Sequence, residues 1–294
     1  MAPVAIQTHD LSKRYGRVRA LERLSLSVDE GEIFGFLGPN GAGKTTTIRL
    51  LLGLIAPSSG RATVLGHDPA VRSAWRREVG YLPGTLALWP GLTGARTLDL
   101  LADLTGRPAA WRGELVDRLQ LSGEDLGRRV GTYSDGMRQK LGIVQALQCA
   151  PRLVLLDEPS KGLDPLMQVA FYDVLFDVAR RGATIFFSSH VLPEVERVCH
   201  RVAMLRSGAL VSVGGVEDLR RALPRRVTVV FRDESAAADL SEFGRVLARS
   251  AARVELLVAV DRVTELAGRV ALLPIADLLI EPQRLEDAFL EQYR

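Results

Sequence analysis

The sequence predicts an α/β protein built on a mainly parallel sheet with helices on both faces, followed by a small α/β appendage. Three observations carry this. Apolar strand-like runs alternate with helix-patterned segments from Ile33 onward; the first of these runs passes straight into a glycine-rich loop and then a helix; and the chain changes character after Gly214 and Gly215. Strands that alternate with helices need crossover connections, which cover both faces of a parallel sheet. With 294 residues the chain has room for one full-sized domain and a smaller one, since typical domains run about 100–200 residues.

In order along the chain, residues 3–36 alternate apolar and polar side chains (VAIQTHDL, LERLSLSV, EIFGFLG), which reads as short strands joined by glycine turns. Ile33–Leu37 is a continuous apolar run and so a buried strand. Thr45–Leu54 places apolar residues at helical spacing and stops at Gly53 and Pro57. Residues 91–150 are mostly helical by pattern and join two strand regions, as a helical insert would. Leu153–Asp157 and Thr184–Ser188 are further buried strands, the second followed by a histidine and another helix. The appendage of about 75 residues is marked by proline and arginine, and holds strand-like runs at Val227–Phe231, Glu255–Val260 and Asp277–Ile280. The expected division is 1–220 and 221–294, with no internal repeat.

The bulk properties exclude several classes. A composition of 47% apolar and 25% charged residues, with 27 glycines and 14 prolines, is that of a globular protein able to bury a core. A formal charge of only +3 is too small for a surface that holds nucleic acid by counterion release, so no nucleic-acid partner is expected. Cys149 and Cys199 are the only cysteines, and their spacing suits neither zinc nor a disulfide framework; buried thiols in a reducing cytosol are expected. The first residues, MAPVAIQTHDLSKRYG, lack the apolar stretch of an export signal. The longest apolar runs, such as Leu50–Pro57, fall well short of a spanning helix, which takes about 18 residues. A membrane role is therefore expected to run through a partner.

The chemistry concentrates in two motifs. GPNGAGKT, Gly38–Thr45, fits the phosphate-binding pattern GxxxxGK[ST] and sits between a strand and a helix as that pattern requires. Its glycines let backbone amides curl around phosphates, the helix N-terminus adds positive potential, Lys44 bridges phosphate oxygens and the Thr45 hydroxyl is placed to ligate Mg²⁺. Lysine usage agrees: Lys13, Lys44, Lys140 and Lys161 are the only lysines among 38 cationic residues, yet one stands here, where a compact ammonium suits phosphate. LVLLDE, Leu153–Glu158, ends a strand in two adjacent carboxylates. Neighbouring strand residues point to opposite sides, so the two acids have different tasks: Asp157 for the metal, Glu158 as general base for an attacking water.

With these motifs in place, residues 4–220 resemble the nucleotide-binding domain of ATP-binding-cassette transporters. The family's signature loop is matched by YSDGMRQKL, Tyr133–Leu141, one helix upstream of LVLLDE. The resemblance implies a phosphate-loop NTPase cassette with a mixed, mainly parallel core sheet, antiparallel N-terminal strands, a helical subdomain at about 85–150 and a ferredoxin-like C-terminal domain. It implies ATP bound through Gly38, Pro39, Asn40, Gly41, Ala42, Gly43, Lys44, Thr45 and Thr46, Mg²⁺ on Thr45 and Asp157, and catalysis by Glu158 with His190 as γ-phosphate switch. Alone, Tyr15 reads rather as a half-buried strand aromatic and His190 as a satisfied strand-end histidine; the shared order of all the motifs reverses this, and Tyr15 is then the aromatic that stacks on adenine. Ser134, Asp135 and Gly136 act in trans on the ATP of a second copy, and Asp164 of SKGLDP touches that copy; Pro159 and Pro165 stiffen this loop.

The branch with YSxGMRQ and a similar closing segment, IEPQRLEDAFLEQYR, resembles drug-, antibiotic- and lipid-exporting systems with a separate permease. The implied protein is a cytoplasmic ATPase, peripheral on the inner face of the cell membrane, that pairs with a copy of itself and drives a transmembrane permease. A non-transport cassette ATPase and a regulatory nucleotide-binding module with weak hydrolysis are the competing readings. Trp89, Leu92 and Leu98 form either a docking groove for the permease or the core of the insert. Three positions depart from the family: Gly84 where glutamine is common, Asp135 where glycine is common and Met137 where glutamine is common. A carboxylate near the partner's γ-phosphate is repelled unless it faces away, which points to slow hydrolysis. Gly84 offers no side chain to the metal or the attacking water, which bears on metal contact and coupling to the permease, not on ATP binding.

Overall fold

A computed structural model of the chain describes residues 3–71, 74–233 and 238–283. The chain divides into two compact units, 1–214 and 215–294, each with its own core.

The first unit opens with β1 (Val4–Tyr15) and β2 (Val18–Asp29), an antiparallel pair that β4 (Ser59–Val64) extends on the far side of β1. Where short strands were expected, two 12-residue strands run instead. Bulges interrupt them, with Asp10 and Arg23 in the left-handed region at φ 47°, and this irregularity makes one long strand look like several in sequence.

The central sheet has the order β5-β6-β7-β3-β8-β9, with β3 (Ile33–Leu37), β5 (Val79–Leu82), β6 (Leu153–Asp157), β7 (Thr184–Ser189), β8 (Arg201–Arg206) and β9 (Ala209–Gly215). All four registered pairings in it are parallel. Every residue of β3, β6 and β7 is buried, which explains their unbroken apolar runs. The helices are α1 (Lys44–Leu51), α2 (Gly94–Thr105), α3 (Arg112–Arg118), α4 (Gly123–Gly127), α5 (Asp135–Leu147), α6 (Pro165–Arg180) and α7 (Leu192–Val198). Helices α2 to α5 make up the helical insert. Leu98 is fully buried there while Trp89 is 46% exposed, so Leu98 belongs to the insert core and not to a docking groove.

In the second unit, α8 (Val216–Ala222) precedes β10 (Arg225–Phe231), β11 (Gly244–Ser250), β12 (Arg253–Val258), α9 (Val263–Val270) and β13 (Ile275–Pro282). The sheet order β11-β12-β10-β13, with each neighbour antiparallel, is that of a ferredoxin-like split βαβ unit. The connection from β10 to β11 holds a single short 3₁₀ turn, Ser241–Phe243, among the described residues. Leu266 and Val270 of α9 pack on Val227, Val229, Val254 and Leu256. Most of the closing segment singled out above, 284–294, lies outside the described residues.

Candidate nucleotide site

Strand β3 ends at Leu37 and the chain turns through Gly38–Gly43 into α1. Gly43 caps α1 in the left-handed region at φ 105°, and a Cβ there would stand 2.4 Å from the Ala20 carbonyl oxygen, so only glycine fits. Ala42 is buried and its N–H donates to the Pro39 carbonyl at 3.1 Å, closing the loop. Asn40 and Gly41 are exposed at its rim and Thr46 is half-buried.

Lys44 begins α1 and is 5% exposed. Its Nζ donates to the carbonyl oxygens of Gly38 at 2.7 Å and Pro39 at 3.2 Å, and lies 3.7 Å from Glu158 Oε1. Burial lowers its pKa, with Glu158 and Asp157 acting in the opposite sense. Thr45 donates its hydroxyl to Asp157 Oδ2 at 2.7 Å, and Ser188, the register partner of Asp157 on β7, donates to Oδ1 at 2.8 Å.

The two acids diverge, as their adjacency predicted, but for a different reason. Glu158 lies past the end of β6 in the left-handed region at φ 51°, with its N–H donating to the Ser188 carbonyl at 3.0 Å. That conformation costs about 1 kcal/mol in a non-glycine residue and swings its carboxylate to Lys44 and to His190 Nδ1, 3.0 Å away. A cavity of about 210 Å³ opens beside these groups, lined among others by Thr45, Tyr81, Gly84, Asp157, Glu158 and Lys161. Burial, and then Asp157, push the Tyr81 phenol up. A Cβ on Gly84 would stand 3.3 Å from Asp157 Oδ2.

This donor set suits Mg²⁺. A hydroxyl and a carboxylate oxygen, already in contact, border an open cavity, and Mg²⁺ prefers one or two such protein oxygens with water and phosphate completing its shell. Among the described residues no group of three His, Cys, Asp or Glu side chains forms an all-protein cage.

A second cluster lies along the start of α5. Ser134 caps that helix, accepting the Met137 N–H at 3.2 Å. Asp135, with a side chain 91% exposed, pairs with Arg138 at 2.9 Å. A Cβ on Gly136 would stand 3.0 Å from the Gly162 carbonyl oxygen, so this loop abuts Lys161–Asp164. Gln139 ties the clusters by donating to the Pro159 carbonyl at 2.6 Å. Asp164 caps α6, accepting the Met167 N–H at 2.9 Å. Tyr15 stands 46% exposed at the β1–β2 turn with the Lys13 ammonium 5.1 Å from its ring centroid.

A sequence model of the ABC transporter family matches residues 21–161, and one for the C-terminal domain of EvrA-like ABC transporters matches 224–281. An uncharacterized ABC transporter ATP-binding protein of Nostoc sp. is 42% identical over 229 residues, 74% of this chain and 68% of its own length. The daunorubicin resistance ATP-binding protein DrrA3 of Streptomyces coeruleorubidus is 34% identical over 99% of this chain and 96% of its own. The chain belongs to the ABC transporter family. As an ABC ATPase it also has the family's architecture. The structure of an ATP-binding subunit of an ABC transporter superposes with a TM-score of 0.69 at 34% identity, covering 74% of this chain and 92% of that one. A bacterial ABC transporter cassette solved as a dimer shares the fold at 21% identity, with a TM-score of 0.67 over 72% of this chain and 98% of that one.

Within the cassette several contributors escaped the sequence reading. Ser188 was visible only as part of TIFFSS, because its role follows from the β6–β7 register. Glu194, four residues beyond His190, accepts from Ser160 at 2.5 Å and Ser189 at 2.7 Å, bracing the loop after Glu158 against the strand end before His190. Tyr81 faces the cavity without any motif to announce it, and Lys161 faces it from within SKGLDP, where only Asp164 was singled out.

Proposed function

We propose that two copies of this cassette close around two ATP molecules and drive export through a separate transmembrane permease. The observation that carries the reading is the convergence of Lys44, Thr45, Asp157, Glu158 and His190 at one end of the parallel sheet. Phosphoryl transfer asks a protein mainly for positioning and charge neutralisation, which such a cluster provides.

Backbone amides of Gly38–Gly43 and the Lys44 ammonium hold the phosphates, while Tyr15 offers an exposed ring to the adenine. Thr45 and Asp157 would hold Mg²⁺, which when bound would neutralise part of the charge on the transferring group. Glu158 accepts a proton from the attacking water, and His190, hydrogen-bonded to it, orients that carboxylate and faces the γ-phosphate. Ser134 and Gly136 of one copy complete the site of the other, and Asp164 lies at the contact between them. Asp135 pairs with its own Arg138, which offsets part of the negative charge that its position brings. Gly84 contributes no amide, so hydrolysis is expected to be slow.

The exporting direction rests on kinship with DrrA3, whose name ties it to daunorubicin resistance. No helix among the described residues is long and apolar enough to cross a membrane; on this reading the protein sits on the cytoplasmic face of the membrane and meets the permease through the helical insert, where Trp89 is exposed. Glu158→Gln tests the scheme. It should bind ATP as the wild type does, hydrolyse at least about 100-fold more slowly and accumulate as an ATP-bound dimer in size-exclusion chromatography. Normal turnover by a monomeric variant would remove Glu158 from its role, and mild crosslinking in native membranes that recovers no polytopic protein would remove the permease.

A further inference from the structure

We propose that Lys161 reads the terminal phosphate of the bound nucleotide, supplying from the loop after Glu158 the polar contact that Gly84 leaves unmade. The inference rests on the reading that Gly38–Thr45 holds ATP, and deepens it.

The cavity beside Asp157 and Glu158 has Gly84 on its wall between Pro83 and Thr85, and Gly84 itself sends no side chain into it. Lys161 lines the same cavity from the loop after Glu158. Its backbone position is fixed by a turn in which its N–H donates to the Glu158 carbonyl at 3.3 Å, three residues past the general base. Yet nothing among the described residues explains its charge. The site's acids are already engaged, Asp157 by Thr45 and Ser188 and Glu158 by Lys44 and His190. Among the described residues no carboxylate pairs with Lys161. The residue also precedes the N-terminus of α6, the positive end of that helix, where a cation is disfavoured.

Arg49 borders the cavity too, but it stands in the last turn of α1, where a cation complements the helix dipole without any ligand. Lysine itself is informative. Of 38 cationic residues four are lysines, and two of them, Lys44 and Lys161, border this one site. A flexible stem ending in a compact triple donor suits a phosphate oxygen that arrives and leaves with each cycle.

The test is calorimetric titration of ATP and of ADP onto the full chain in EDTA, for the wild type, Lys161→Met and Lys161→Arg. Removing a charge-assisted hydrogen bond to the γ-phosphate should weaken ATP binding about tenfold in Lys161→Met and leave ADP binding unchanged, with Lys161→Arg restoring most of the ATP affinity. Lys161 is exposed, so neither variant threatens the fold. An unchanged ATP affinity in Lys161→Met, or equal losses for ATP and ADP, would overturn the assignment to the terminal phosphate. A wild type that binds neither nucleotide would overturn the ATP reading itself, and this proposal with it.

Discussion

Ser188 donates its hydroxyl to Asp157 from the neighbouring strand, and together with Thr45 it occupies both carboxylate oxygens of a residue only 2% exposed. In Ser188→Ala a buried charged acceptor loses a donor, a change that costs about 1–3 kcal/mol; urea unfolding should show it as a lower midpoint at unchanged slope. Gly84→Ala would bring a methyl group to 3.3 Å from the same carboxylate, closer than most real contacts. We expect hydrolysis to fall severalfold while ATP binding in EDTA holds, measured by phosphate release and titration. Lys44 carries a pH signature. Its folded pKa lies below the ordinary lysine value of 10.5, so the unfolded chain binds more protons between the two values and stability rises with pH across that window. The advantage of Lys44→Met over the wild type should therefore shrink as the pH climbs toward 10.5, in parallel urea titrations. Gly38–Thr45, Asp157 and Glu158 were legible because a local spacing encodes each. Ser188 was not, because its partner lies 31 residues away and only the strand register joins them.

Two residues assigned to the dimer interface, Ser134 and Asp164, also start helices, each accepting an N–H three residues on. Replacing either by alanine should cost about 1 kcal/mol of stability from the cap alone, visible in the isolated chain without ATP. Ser134→Thr keeps a capping hydroxyl, so a loss of ATP-driven pairing in that variant would report on the contact in trans. Glu194 works between elements, joining the start of α7 to Ser160 and Ser189. Its removal should cost about 2 kcal/mol and slow hydrolysis, since it fixes the loop ends that carry Glu158 and His190; calorimetry and phosphate release check both effects. Strands β3, β6 and β7 could be read as apolar runs because helices cover them on both sides. Strands β4, β8, β9 and β11 were missed: β4 and β9 lack such a run, β11 is exposed along most of its length, and β8 follows α7 so closely that no turn signal separates them.

At the scale of the whole molecule, the two units bury separate clusters, one around Phe34, Phe36 and Phe186 and the other around Val229, Leu256 and Leu266. A chain stopped after Gly214 should fold and bind ATP with the affinity of the full protein; loss of binding would show that the second unit supports the site. The overall plan was visible in sequence as N-terminal strands, a strand–loop–helix start, a helical insert and a change of composition, whereas the bulges and full length of the N-terminal strands were not, because left-handed residues at Asp10 and Arg23 break the alternation a strand normally shows. One feature of the topology reaches into biosynthesis. Strand β3, which carries the phosphate loop, is flanked by β7 and β8, so its partners are made about 150 residues later. During translation Lys44 leaves the ribosome long before the strands that frame it, and the nascent chain must keep Ile33–Leu37 from aggregating through that interval. Ribosome-arrested chains ending near residue 175 should leave the phosphate loop open to protease, and chains extended by some 70 residues should protect it when ATP is added.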